Sequence, residues 1–178
     1  EWNLGWFYGV FILFMLVGSS NAVNLTDGLD GLAGGLSAIA FLAFGLISMG
    51  SWWIEGNADM GIFCFVLVGA IMGFLVYNTN PAKVFMGDTG SLMLGGVISG
   101  LALYLKMPLL LVVIAIIPVL EALSDIIQVM YYKKTGKRVF KMAPLHHHFE
   151  LSGWKENQVV MLFSVITLVA SVIGLQIV

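Results

Sequence analysis

Three short polar runs interrupt an otherwise apolar chain of 178 residues, and each holds side chains able to bind or move charge. The first runs from Ser19 to Gly31 and contains Asn21, Asn24, Thr26, Asp27 and Asp30. Asp27 and Asp30 are three apart, and so are neighbours if the segment is helical. Gly28 and Gly31 let the backbone come close to a ligand or to another helix. The plain reading is a turn in which one carboxylate caps the next helix, but this run holds more polar groups than one cap requires. The second run, Tyr77 to Ser91, includes Asn78, Lys83, Phe85 and Gly87, with Asp88 as its only acid. Asp88 can cap a helix. A carboxylate at a helix start can also hold Mg²⁺ while nearby N–H groups meet phosphate oxygens. Phe85 can stack on a base or anchor in lipid.

The third run, Ala143 to Glu150, contains all three histidines of the chain, His146, His147 and His148. The spacings of known zinc motifs are absent. A partly wet patch that donates hydrogen bonds to phosphate or transfers protons is the sharper reading, and a solvated loop the plainer one. Glu121, Asp125 and Gln128 add a polar stripe at i, i+4 and i+7 in an apolar stretch. Intramembrane carboxylates normally face a bundle interior or a wet cavity. Gln128, nearest the following loop, is the candidate site-lining group; the alternative for the stripe is helix–helix hydrogen bonding.

The elements that must position these groups follow from composition. Hydrophobic residues are 60% and charged ones 10% of the chain, with a net charge of −2; soluble domains carry about 25% charge. A water-soluble globule and a disordered chain are both excluded, and near-neutral charge argues against a nucleic-acid partner. The lone Cys64 permits no intrachain disulfide. Runs of roughly 20 apolar residues suit membrane-crossing helices, and they lack the period-two alternation of a barrel. Six spans are expected: Leu4 to Ser20, Leu32 to Trp53, Met60 to Tyr77, Ser91 to Leu105, Met107 to Tyr132 and Gln158 to Val178. The fold class is therefore an all-α polytopic transmembrane bundle, a single integral membrane domain over residues 1–178. Trp52, Trp53, Tyr131 and Tyr132 sit at span ends, as interfacial aromatics do. Gly34-Gly35 and Gly95-Gly96 suit tight helix packing.

Orientation follows the positive-inside bias. Lys83, Lys133, Lys134, Lys137, Arg138, Lys141 and Lys155, seven of the eight basic residues, fall in loops that alternation places in the cytoplasm. Lys106, Glu55 and Asp59 fall outside, with both chain ends. All three polar runs then share the cytoplasmic face. The basic run Lys133 to Lys141 is also a natural contact for anionic lipid. No basic flank and cleavage site precede the first span, so no signal peptide is expected. Glu1 in place of an initiator Met suggests part of a longer chain.

The stretches Asn21 to Ala33, Val84 to Leu92 and Met142 to Glu150 together resemble the polyprenyl-phosphate N-acetylhexosamine-1-phosphate transferase superfamily. The Pro-x-His-His-His-x-Glu pattern resembles its muramoyl branch more than its GlcNAc branch. The resemblance covers the whole chain, as the last six of ten spans. It implies transfer of phospho-MurNAc-pentapeptide from UDP-MurNAc-pentapeptide to undecaprenyl phosphate with Mg²⁺, giving lipid I and UMP, at the cytoplasmic face of a bacterial plasma membrane. A homodimer is the assembly it suggests. By position, Asp88 would be the Mg²⁺ ligand, and Phe85 and Gly87 would meet uracil. Asn24, Asp27, Asp30, Asn78 and Gln128 would line the nucleoside and sugar pocket, and Ser91 would lie near the phosphates. His147 and His148 would contact substrate with His146 beside them. Asp88, Asp27 and His147 would be the catalytic set. The family's Asp-Asp pair upstream of these stretches is absent from this sequence, so the expectation concerns the parent protein.

Four other readings compete, the plainest of them a purely structural membrane module, which leaves the three polar runs unexplained. A GlcNAc-1-phosphate transferase shares the first two stretches. Gly-Asp-Thr-Gly at 87–90 invites an intramembrane aspartyl protease, but Phe85 stands where Gly would support it and no Tyr-Asp span is present. A transporter predicts midplane sites and an internal repeat, and neither is evident.

Overall fold

The computed structural model describes residues 5–50 and 57–178. Among these, eight helices and no strand occur: α1 Trp6–Thr26, α2 Leu32–Met49, α3 Ala58–Asn78, α4 Gly87–Tyr104, α5 Pro108–Ile114, α6 Ile116–Thr135, α7 Leu145–Glu150 and α8 Glu156–Ile177. The all-α membrane bundle expected from composition is what forms. Trp52, Trp53, Glu55, the end of the second span and Leu4 lie outside the described residues.

The expectation of six uninterrupted spans needs correction. Four helices, α1, α2, α3 and α8, are long and apolar enough to cross a bilayer. The fourth expected span, α4, is as long as α2, but its polar start keeps it out of that group. The fifth is broken into α5 and α6, bent by 85°. Pro118 supplies the reason: its ring clashes with the carbonyl four residues back, Ile114, and it offers no N–H to it. The helix stops there, Ala115 leaves helical geometry at φ −96° and ψ 35°, and Pro118 falls in the first turn of a new helix, where proline is tolerated.

The helix α2 is the hub, packed chiefly on α3 and α8 and touching α1 and α4. It is apolar around its whole circumference, as a buried helix should be, and Leu32, Phe41 and Phe44 are fully buried. The other spans bury one face and expose Phe7, Phe14, Val66, Met72, Val76, Met161 and Ile173. Apolar exposure on this scale is untenable in water and ordinary against lipid tails.

Two helix crossings set the geometry of the polar end. At the α1–α4 crossing, Ser19 Oγ donates to the Gly95 carbonyl at 2.9 Å and Ser20 Oγ to the Leu92 carbonyl at 2.7 Å. A methyl on Gly95 would collide with the Ser19 carbonyl, so only glycine permits this approach; Gly96 faces open space. At the α2–α3 crossing, Gly34 meets Leu75 and Gly45 meets Cys64 and Phe65. Lys106 lies at the other end of the bundle, with Met107, Pro108, Ile177 and Val178 around an open cavity of about 460 Å³.

Candidate active site

The polar end is assembled from the α1–α2 turn, the α3–α4 loop, the start of α4, α7 and the start of α8. Because α1 and α4 run antiparallel, the Ser20–Leu92 contact puts Asn24, one turn further along α1, over the first turn of α4. Asn24 Nδ2 donates to Ser91 Oγ at 2.9 Å and to Asp88 Oδ1 at 3.2 Å. Ser91 is fully buried and donates back to the Gly87 carbonyl at 3.1 Å. Asp88 stays exposed in the first turn of α4, where the helix dipole favours a negative charge. Gly87 enters that turn at φ +68°, a conformation that side chains oppose.

Asp27 follows α1 as its C-cap, its N–H donating to the Asn24 carbonyl at 3.1 Å. Its carboxyl is pushed up to about 6, first by burial and second by the negative charge of Asp88. Two acids held this close repel each other unless a cation or a proton intervenes.

Asp30 and Asn78 hold backbone rather than open space. Asp30 Oδ2 accepts from the Ala82 N–H at 2.8 Å and from Asn80 Nδ2 at 3.3 Å. Asn78 is buried; its Oδ1 accepts from Gly31 N–H at 3.1 Å and its Nδ2 donates to the Val84 carbonyl at 2.8 Å. Together they tie the α1–α2 turn to the loop that delivers Phe85, which is 74% exposed, and Asp88.

The three histidines divide. His146 turns inward and is 1% exposed. His147 Nδ1 meets Glu150 Oε2 at 2.8 Å, and His148 Nδ1 accepts from the Lys141 N–H at 3.1 Å; both rings remain half-buried at the surface. Gln128 grips the preceding loop: its Oε1 accepts from the Val139 and Phe140 N–H groups at 3.0 Å each, and its Nε2 donates to the Phe140 carbonyl at 3.1 Å. Phe140 in turn sets its edge against His148. The structure therefore brings Asn24, Asp27, Asp88 and Ser91 into one cluster. Asp30 and Asn78 hold the two loops that carry this cluster, whereas the hydrogen bonds of Gln128, His147 and His148 go to residues 139–150.

Two residues escaped sequence reasoning. Glu156, in the first turn of α8, accepts from the Asp30 N–H and from Asn80 Nδ2, both at 2.6 Å. In sequence Glu156 reads only as an acid near a helix start, 126 positions from Asp30, so no local signal could have found this contact. Asn80 was visible only as a loop residue.

Among the described residues no group of three or more His, Cys, Asp and Glu side chains is placed to hold a metal. Mg²⁺ commonly needs only one or two carboxylates, with waters and substrate phosphates completing its shell. Asp88 and Asp27 fit that modest requirement, and the repulsion felt by Asp27 is what a divalent cation would relieve.

Comparison with known proteins adds two findings. A profile of glycosyl transferase family 4 matches residues 1–106. The chain is 56% identical over 177 residues to a phospho-N-acetylmuramoyl-pentapeptide-transferase of Geobacillus thermodenitrificans, covering 99% of this chain and 53% of that protein. It is 55% identical over 179 residues to the protein of that name from Geobacillus kaustophilus, covering 99% and 54%, and 56% identical over 177 residues to that of Bacillus thuringiensis, covering 99% and 53%. The chain thus spans about half the length of the relatives it matches.

Proposed function

From the premise that this chain belongs to glycosyl transferase family 4, we propose that its parent protein transfers phospho-MurNAc-pentapeptide from UDP-MurNAc-pentapeptide to undecaprenyl phosphate. The acceptor's phosphate oxygen forms a bond to the phosphorus that carries the sugar. The bond from that phosphorus to the UMP oxygen breaks, UMP leaves, and lipid I remains in the membrane. The single observation that carries this reading is the cluster of Asn24, Asp27, Asp88 and Ser91 at the end of a bundle whose outer faces suit lipid. A soluble anionic donor and a lipid-bound anionic acceptor can meet at such an end.

Asp88, with Asp27 beside it, would hold Mg²⁺, which when bound screens the diphosphate and the charge developing on the leaving group. Asn24 orients Asp88 by donating to its carboxylate, and it anchors Ser91 at the same time. Phe85, exposed on its loop, offers a face for the uracil, and Gly87 lets the donor approach the backbone. His147 and His148 would contact the sugar or peptide end, their rings steered by Glu150 and by the Lys141 N–H. The catalytic work asked of these side chains is orientation and charge placement, which in-line displacement needs more than covalent help. The basic residues in the loops at this end support a site on the cytoplasmic side, in keeping with a bacterial plasma membrane as its location.

The test uses the intact parent in detergent with undecaprenyl phosphate and UDP-MurNAc-pentapeptide. UMP release should depend on Mg²⁺, and Asp88→Asn should lower it by about 10²-fold or more with the protein still folded. Release that persists in Asp88→Asn removes Asp88 from the metal role. No release from the wild type, under conditions where a Geobacillus relative is active, defeats the assignment.

A further inference from the structure

Behind the exposed cluster lies a buried carboxylate–imidazole contact that the proposed reaction does not use. Glu121 on α6 is fully buried and His146 on α7 is 1% exposed. Both carboxylate oxygens of Glu121 go to this one residue: Oε1 accepts from the His146 backbone N–H, and Oε2 meets His146 Nδ1, each at 3.2 Å. A carboxylate in such a place stays only if its lone pairs are satisfied, and here a single histidine satisfies them from main chain and ring together. The grip fixes the position of α7 and the rotation of its first ring.

The far side of that ring is equally constrained. His146 Nε2 is buried and has no hydrogen-bond partner. It presses on the backbone of Gly28, where an added methyl would collide with Nε2 and come within 2.8 Å of Cε1. Gly28 directly follows Asp27. The ring of His147 lies 4.2 Å from that of His146, centroid to centroid. One imidazole therefore spans the gap between the carboxylate cluster and the surface histidines, clamped by Glu121 at one end and seated on a glycine at the other.

Building on the proposed function, we propose that Glu121 is a positioning residue: through His146 it sets the distance between the Asp27 turn and the His147–His148 face, so that one substrate can engage both. Glycine at position 28 is part of the same device, since any side chain there would push the ring away. The geometry also dictates where the ring proton sits. Glu121 offers only acceptors when ionised, so Nδ1 carries the hydrogen and Nε2 keeps its lone pair against Gly28, where a hydrogen would find no acceptor.

The experiment takes the intact parent and compares Glu121→Gln, Gly28→Ala and the double variant. Glutamine keeps the size of Glu121 but places an N–H₂ against His146 Nδ1, so the ring must swing or move its proton to Nε2. Either single change should lower kcat on the order of 10²-fold, with KM for the nucleotide donor changed less, because the uracil contacts proposed for Phe85 and Gly87 are not made through His146. The double variant should be no worse than the poorer single, because both act by displacing the same His146 ring. A readout independent of activity is the ¹⁵N signal of His146. Wild type should show a protonated Nδ1 and an unprotonated Nε2, and Glu121→Gln should lose that pattern. Multiplicative kinetic losses, an unchanged ¹⁵N pattern in Glu121→Gln, or equal changes in kcat and KM would overturn the proposal. If Glu121→Gln fails to fold, Gly28→Ala decides alone: unchanged kcat in that variant refutes it. A wild type that releases no UMP but shows the expected ¹⁵N pattern would count against the reaction while leaving the strut in place.

Discussion

Gly95→Ala should damage both stability and the site, and Gly96→Ala should damage neither. The two positions are adjacent on α4, so both changes gain the same helix propensity, about 1 kcal/mol, and that gain cancels in the comparison. What differs is the neighbour. A methyl at 95 lands on the Ser19 carbonyl and 2.7 Å from Ser20 Cα, whereas at 96 nothing lies within 4 Å. The obstacle is backbone, so α1 and α4 must separate. Separation costs the overpacking strain, about 1–3 kcal/mol. It also weakens the Ser19–Gly95 and Ser20–Leu92 bonds, each worth about 0.6 kcal/mol in a bilayer setting. The expected difference between the two variants is about 2–4 kcal/mol, read by unfolding in mixed micelles with rising SDS. The same separation lifts Asn24 off Asp88 and Ser91, so UMP release from the parent should fall with stability in Gly95→Ala and hold in Gly96→Ala. Equal unfolding midpoints for the two variants would refute the crossing as the element that registers the site.

Other outcomes follow from the same contacts. In metal-free protein the Asp27 carboxyl should titrate near 6, observable by carboxyl ¹³C NMR. Asp88→Asn should lower that midpoint without returning it to 3.8, because burial is the larger cause. Since the folded value lies above the ordinary carboxyl value of 3.8, this group contributes stability that is complete below 3.8 and lost as pH rises through about 6; Asp27→Asn should flatten that slope in Tm against pH. Glu156→Gln replaces an acceptor facing Asn80 Nδ2 with a donor, so amide exchange at Ala82 and Lys83 should speed up about tenfold, or about 1.4 kcal/mol; unchanged exchange would show that Glu156 does not hold this loop. Gln128→Ala removes three hydrogen bonds to Val139 and Phe140, and exchange at both amides should rise while α6 itself stays protected.

Much of this protein was settled by local pattern. Runs of apolar residues long enough for a bilayer made helices the only economical backbone, because hydrocarbon offers no partner to an open N–H or C=O. The excess of basic residues in alternate loops, and the three polar runs themselves, were equally visible. Asp27, Asp88 and the histidines stood out because polar and ionisable groups are costly near lipid. Gly95 was legible as a packing residue, though not which partner it packs against.

Other features depend on residues far apart in the chain. Asn24 meets Asp88 across 64 positions, Asp30 meets Glu156 across 126, and Glu121 meets His146 across 25; no periodicity encodes such pairs, since each arises only once helices cross at a given angle and register. The break at Ala115 had a local cause in Pro118, yet an apolar run conceals it, because hydrophobicity measures length in the membrane and not direction. Sequence chose which groups must leave the lipid; packing chose which of them face one another, since only contact between helices distinguishes an inward histidine from its two outward neighbours.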